Sequence, residues 1–105
     1  MGIRREMSEQ DVRSRIKTAR LVIVDIGVAV ALHYEQDVTP LPLVVAIGKA
    51  GMARTMVEIA QVEDVAVVSD ARLVADLIEE GKIDQYIPTS TIDRVAQAMR
   101  KTAAS

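Results

Sequence analysis

A glycine-containing turn is the part of this sequence with the residue types and spacing that suit a ligand site. Gly48 and Gly51 follow the apolar run Leu43–Ile47, and Met52 and Ala53 begin a helical pattern. N–H groups at a helix N-terminus attract anions, so a phosphate would fit there. The spacing reproduces only the tail of a dinucleotide fingerprint, because alanine occupies the position of its first glycine.

Two further observations bear on this turn. Asp70 follows the next apolar run, where a ribose-binding carboxylate would lie in a dinucleotide-binding fold. Lys49 comes directly after the first glycine with no Ser or Thr beside it, which does not match a Walker loop. A small nucleotide- or phospholigand-binding domain using Gly48–Ala53 is therefore one hypothesis. In the alternative, the glycines only permit a tight strand-to-helix turn.

Two titratable residues could in principle carry catalysis. His33 is the sole histidine and has Glu35 and Asp37 nearby, but its place after an apolar run is typical of a strand-end residue. Asp25 interrupts an apolar run and is either a catalytic carboxylate or, as we expect, a turn residue. The sequence has no cysteine, which removes thiolate chemistry, and a zinc site built on the single histidine would need carboxylates for its remaining ligands. We expect no catalytic residue, no cofactor and no bound metal.

Apolar periodicity predicts an α/β fold with a four-stranded, mostly parallel sheet flanked by helices and preceded by a charged N-terminal helix. Uninterrupted apolar strands indicate that both faces of the sheet are covered. The third and fourth strands bracket a helix, as in a βαβ unit. The predicted strands are Leu21–Val24, Val28–Leu32, Leu43–Ile47 and Val65–Val68.

The predicted helices have recognisable start and stop signals. The first spans about Glu9–Ala19 and begins at Ser8–Asp11, which resembles a capping box. Since this helix has few apolar residues, we expect it to protrude, fray or pack on a neighbouring molecule. The second follows Gly51. The third is capped by Ser69 or Asp70 and ends at Gly81, and the last is capped by Ser90 with Asp93. We therefore divide the chain into a charged linker helix, residues 1–20, and a globular domain, residues 21–105.

Charge is distributed unevenly along the 105 residues, although the formal net charge is only −2. Arg4–Arg20 holds six basic and three acidic residues, whereas Glu58–Asp93 holds nine acidic and two basic ones. The overall charge does not suit a nucleic-acid partner. The apolar run Leu21–Leu32 is too short to span a bilayer and contains Asp25.

The ordered residues from the second strand onward resemble one known family. They are Ala29–Tyr34, then Pro40 and Pro42, then Val44-Val45-Ala46 with Gly48, and further matches continue through Glu58–Ala60, Val65–Val68, Asp70, Gly81, Ile87-Pro88 and Val95-Ala96. This pattern is similar to the cytoplasmic domain of the FlhB/YscU family, the switch proteins of flagellar and type III secretion export. The resemblance implies a four-stranded sheet wrapped by helices and a role in selecting exported substrates.

The sequence departs from that family at its hallmark, an Asn-Pro-Thr-His motif at which the chain cleaves itself. An ungapped alignment from Ala29 places Val24, Asp25, Ile26 and Gly27 at those four positions. A one-residue gap would place Asp25 on the asparagine, and neither alignment supplies Asn or Pro. We therefore expect a non-enzymatic interaction module that has lost self-cleavage.

The family's geometry implies where partners would dock and what they would be. The docking region would comprise the surface around Asp25–Gly27 and a loop that contains Tyr34, Glu35, Asp37, Pro40 and Pro42. The implied partners are other export-apparatus proteins and secreted substrates or their chaperones, with no nucleic acid. Contact with a membrane would be made only through a missing N-terminal membrane part or neighbouring gate proteins. The implied location is the cytoplasmic face of the bacterial inner membrane.

Overall fold

The computed structural model describes residues 7–103 and contains one mixed sheet between two layers of helices. In chain order its elements are α1 Glu9–Lys17, β1 Leu21–Asp25, β2 Val28–His33, β3 Leu43–Lys49, α2 Gly51–Val62, β4 Ala66–Ser69, α3 Ala71–Glu80, a 3₁₀ turn Thr89–Thr91, and α4 Ile92–Ala103. None of the helices in this described part is long and apolar enough to cross a membrane.

The sheet has the strand order β3-β2-β1-β4, and the prediction that it is mostly parallel is wrong. β1 pairs antiparallel with β2, β2 pairs antiparallel with β3, and only β1 and β4 are parallel. β3 and β4 do point the same way in one sheet, as the βαβ pattern predicts, but the β1–β2 hairpin lies between them. The continuous apolar strands reflect burial on both faces, which an antiparallel sheet also achieves when helices cover both of them.

The side chains of β1 alternate between two hydrophobic cores, one on each face of the sheet. Leu21 and Ile23 pack with α3 and α4, whereas Val22 and Val24 pack with α1 and α2. This alternation follows from the two-residue period of a strand. The predicted covering of both faces is therefore confirmed.

The N-terminal helix α1 packs on the domain, which corrects the expectation that it protrudes. Val12 and Ile16 are 1% and 0% exposed, because their four-residue spacing places both on the face that meets α2 and β3. Arg15 adds a polar tie, since its Nη1 donates to Asp84 Oδ1 at 2.7 Å and to the Val45 carbonyl at 3.2 Å. Two well-placed apolar residues are thus enough to seat a helix that is otherwise charged.

The predicted helix signals are confirmed at three termini and wrong at one. Ser8 Oγ accepts from the Asp11 N–H at the start of α1, and Asp70 Oδ1 accepts from the Leu73 N–H at the start of α3. Gly81 ends α3. Ser90, predicted to cap α4, instead donates its hydroxyl to Glu80 Oε1 at 3.1 Å, and a 3₁₀ turn leads into the helix.

Candidate functional site

The β1–β2 hairpin holds all four residues that the sequence singled out at the cleavage-motif position. Asp25 and Val28 form its last strand pair, which leaves Ile26 and Gly27 as a two-residue turn. Gly27 has φ +75°, a conformation that glycine adopts without steric cost. The side chain of Ile26 is 96% exposed at the tip.

Asp25 is exposed and is the last residue of β1, directly before the turn that the sequence predicts in this segment. No ion pair of Asp25 is found among residues 7–103. The position therefore has the features of a structural turn.

The glycine-containing turn lies directly beside this hairpin. The Ala50 N–H donates to the Gly27 carbonyl oxygen at 2.8 Å, which ties the start of α2 to the hairpin tip. A groove of about 470 Å³ separates the two, with Asp25 and Ile26 on one wall and Arg54 among the α2 residues on the other. Two segments proposed for different functions from the sequence are thus neighbours in space.

Gly48 has a packing reason that does not involve a ligand. A Cβ on Gly48 would lie 2.5 Å from Met56 Sδ and 2.9 Å from Met52 Cγ, so glycine is what lets α2 approach β3. Gly51, by contrast, has no neighbour within 4 Å of a built Cβ. The interpretation of the turn as a tight strand-to-helix connection accounts for Gly48.

The hydrogen bonds of Asp70 do not suit a ribose-binding acid. Its carboxylate caps α3 through the Leu73 N–H at 3.0 Å, and its own N–H donates to the Val24 carbonyl at 3.0 Å. α3 covers the face of the sheet opposite to α2. Asp70 and the glycine turn therefore begin helices on opposite faces, with the hairpin between them.

His33 has a structural contact in place of a catalytic partner. It is half-buried at the end of β2, and its Nδ1 lies 3.2 Å from the Thr18 carbonyl oxygen. This contact joins the C-terminal end of α1 to the sheet. It agrees with the prediction of a strand-end residue.

The β2–β3 loop lies at the other end of β2 from the hairpin. β2 has six residues, so the two segments are about 20 Å apart at the usual strand rise. The two segments of the expected docking region therefore lie at opposite ends of β2, and they would form two separate surfaces.

The loop itself is closed by its own hydrogen bonds. The Glu35 carbonyl accepts from the Val38 and Thr39 N–H groups at 3.0 and 2.9 Å, and Asp37 takes φ +68°. Pro42 is buried, and its carbonyl accepts from the Ile87 N–H at 2.9 Å. The loop is thus an ordered turn anchored at its end, with Val38 69% exposed.

A family model for the FlhB HrpN YscU SpaS family matches residues 2–101, which is nearly the whole chain. The chain belongs to this family. Among curated proteins it is 27% identical over 96 residues to Yop proteins translocation protein U of Yersinia pestis. That alignment covers 90% of this chain and 27% of the relative, so the chain spans about a quarter of the relative's length.

Solved structures of FlhB and EscU domains share this fold. A variant EscU C-terminal domain aligns with TM-score 0.84 and 29% identity over 93% of this chain and 94% of that one. The cytoplasmic domain of FlhB from Shewanella putrefaciens aligns with TM-score 0.83 and 27% identity over 89% and 72%. The resemblance drawn from Ala29–Tyr34 and the later matches is confirmed.

Sequence reasoning missed a groove beside the loop of this family domain. It has a volume of about 470 Å³ and is lined by Tyr34 and Gln36 with Arg20 and the α4 residues Met99 and Arg100. Arg20 is held in place because its Nη1 donates to Thr102 Oγ1 and its Nη2 to the Met99 carbonyl, at 2.8 and 2.9 Å. Met99 lies on α4, and the apolar pattern of a helix does not indicate which loop that helix will meet.

Sequence reasoning also missed an acidic group on α3. Carboxylate oxygens of Asp76, Glu79 and Glu80 lie within 4.8 Å of one another, which follows from three- and four-residue helical spacing. Asp76 already pairs with Arg94 at 2.9 Å, and Glu80 accepts from Ser90. Two of the three acids thus contact other elements, Asp76 through Arg94 of α4 and Glu80 through Ser90 of the 3₁₀ turn.

Proposed function

We propose that this chain is a protein-docking domain of a flagellar or type III export apparatus that remains in one covalent piece. Family membership supports the export setting, since its relatives include a translocation protein and FlhB. The export-apparatus partners, the secreted substrates or chaperones, and the location at the cytoplasmic face of the inner membrane all follow from that setting as parts of the proposal.

The residue types in the hairpin support the proposed loss of self-cleavage. The family reaction uses an asparagine followed by a proline, but this sequence contains no asparagine, and its three prolines are Pro40, Pro42 and Pro88. At the tip stand Asp25 and Ile26, so neither the attacking amide nor the proline leaving nitrogen is present.

The proposed docking surface at the hairpin centres on Ile26. A large apolar side chain that is 96% exposed at a two-residue turn gives a partner protein an apolar anchor. The neighbouring groove along α2 would accept the rest of the partner's contact. The β2–β3 loop with Tyr34, Glu35, Asp37, Pro40 and Pro42 would be a second, separate docking surface.

Intact-mass measurement after prolonged incubation at neutral pH tests the covalent part of the proposal. We expect a single full-length species, with a family domain that carries the Asn-Pro-Thr-His motif as the cleaving control. Two fragments divided between Val24 and Ile26 would refute it.

Co-purification with the other export-apparatus proteins of the same cell tests the docking part. Ile26→Ser should reduce capture without lowering the melting temperature, because an exposed substitution changes stability by no more than about 0.5 kcal/mol. Val62→Ser is the matched control, since Val62 is 76% exposed on a different surface. Equal loss with both variants would contradict a role for the hairpin tip.

A further inference from the structure

The two edge strands of the sheet, β3 and β4, differ in the hydrogen bonding of their outward-facing backbone groups. The outer edge of β3 is covered at its N-terminal end, because the Val44 N–H donates to the Gln85 carbonyl at 2.9 Å and the Asp84 N–H donates to the Val44 carbonyl at 2.7 Å. A bridge between Leu43 and Tyr86 extends this cover. β4 forms the other edge, and within residues 7–103 its only strand partner is β1.

The backbone direction of β4 can be read from its last hydrogen bond. The Asp70 N–H donates to the Val24 carbonyl of β1, and backbone groups in a strand alternate sides from residue to residue. The N–H and C=O groups of Val67 and Ser69 therefore point away from β1. No bond to either residue's outward groups is found in the described part of the chain.

The segment that carries this edge is acidic, and Lys17 and Arg20 share a groove with Glu63 and Asp64 at its N-terminal end. Glu58–Asp70 contains Glu58, Glu63, Asp64 and Asp70 and no basic residue. The last three are adjacent to the two ends of β4, and Val67 is 36% exposed in its middle. The edge thus offers free backbone groups and an apolar side chain between negative charges.

We propose that the outer edge of β4 binds an extended, basic segment of another protein as an added fifth strand. Main-chain hydrogen bonds to Val67 and Ser69 would supply the pairing, and Lys or Arg on either side of the added strand would meet the acidic ends. This edge is distinct from the hairpin tip and from the β2–β3 loop, so the inference does not depend on the proposed function.

Charge complementarity selects a basic partner over a second copy of this chain. In a two-fold antiparallel pair centred on Val67, Asp64 of one copy would lie opposite Asp70 of the other. Like charges directly opposite each other destabilise a strand pair. A four-residue strand has few hydrogen bonds to offset that repulsion.

Amide hydrogen exchange by NMR tests the proposal on the intact chain. The probe is an octapeptide of alternating Val and Thr with two Lys at each end, added up to millimolar concentration. At saturation, exchange of the Val67 and Ser69 amides should slow about tenfold or more, because each gains a partner, while the Val68 amide already faces β1. The same peptide with Glu in place of Lys should bind at least tenfold more weakly.

Paired substitutions separate edge pairing from other modes of binding. Val67→Pro removes an outward N–H that edge strands can spare, whereas Val67→Thr keeps it. The proline variant should bind at least tenfold more weakly and the threonine variant like the parent. If Val67→Pro fails to fold, a peptide N-methylated on alternate amides tests the same bonds with the unchanged protein, and it should not bind.

Three results would overturn the inference. These are unchanged exchange at Val67 and Ser69 with millimolar Lys peptide, equal affinity for the Lys and Glu peptides, and self-association through β4 in sedimentation experiments that Val67→Pro abolishes.

Discussion

Ala50 directly precedes α2 and has φ +53° and ψ −124°, a backbone conformation that residues with a Cβ rarely adopt. The hydrogen bond from its N–H to Gly27 holds it there. The sequence could indicate that Gly48 allows a close approach, because glycine between a strand and a helix has few other uses. It could not indicate Ala50, since alanine is an ordinary helix residue and its conformation here is imposed by a contact with the hairpin.

Ala50→Gly should stabilise the domain by about 1 kcal/mol, because glycine adopts positive φ without the steric cost that alanine bears. For a domain of this size that corresponds to a rise in melting temperature of about 4–8 °C. Differential scanning calorimetry measures it. An unchanged or lower melting temperature would mean that Ala50 is not strained.

Gly48→Ala should destabilise the domain by about 1–3 kcal/mol, the usual cost of overfilling a packed site. Its new Cβ would lie 2.5 Å from the sulfur of Met56, which is itself fully buried. Gly51→Ala is the matched control, because its Cβ would meet nothing within 4 Å. Urea unfolding should show a loss for the first variant and none for the second, and equal effects would refute the packing role of Gly48.

At the scale of elements, most boundaries could be predicted from the sequence and the pairing of the strands could not. The strand starting at Leu21 and the cap at Asp70 were visible as an apolar run and a capping residue. Strand direction depended on whether Asp25–Gly27 formed a bulge or a two-residue hairpin turn, and apolar runs look alike in parallel and antiparallel strands that are covered on both faces.

The packing of α1 gives an element-scale prediction. Ile16→Ala should cost about 2–5 kcal/mol, because the side chain is 0% exposed in the core that α1 shares with α2. Arg13→Ala is the control, since Arg13 is exposed and, among residues 7–103, its ion pair is the i,i+4 contact with Glu9 at 3.6 Å. That pair contributes a few tenths of a kcal/mol. Equal melting temperatures for the two variants would show that α1 does not belong to the folded domain.

At the scale of the whole molecule, the hairpin occupies the space in which an open α/β sheet usually binds a ligand. Such ligands lie in a crevice outside the carboxyl ends of parallel strands, where the chain passes to opposite faces. Here α2 and α3 do start at the carboxyl ends of β3 and β4 and cover opposite faces of the sheet, but β1 turns back into β2 between them. In the sequence, the glycines and Asp70 follow the order expected of a dinucleotide-binding fold. Only the strand order reveals that the β1–β2 hairpin separates them.

The domain should therefore bind no nucleotide at the Gly48–Ala53 turn. The Ala50 N–H is already bonded to the Gly27 carbonyl, and two methionine side chains occupy the space beside Gly48. The Asp70 carboxylate caps α3. Thermal melting with ATP, NAD and inorganic phosphate tests this, because a ligand at one hundred times its dissociation constant adds about 2.7 kcal/mol to the free energy of unfolding. We expect no shift with any of them.

Gly51→Val provides a sharp control, since the position is open to a larger side chain. A saturable shift that this variant abolishes would establish a phospholigand site at α2 and would show that the hairpin and the helix N-terminus leave room between them for an anion.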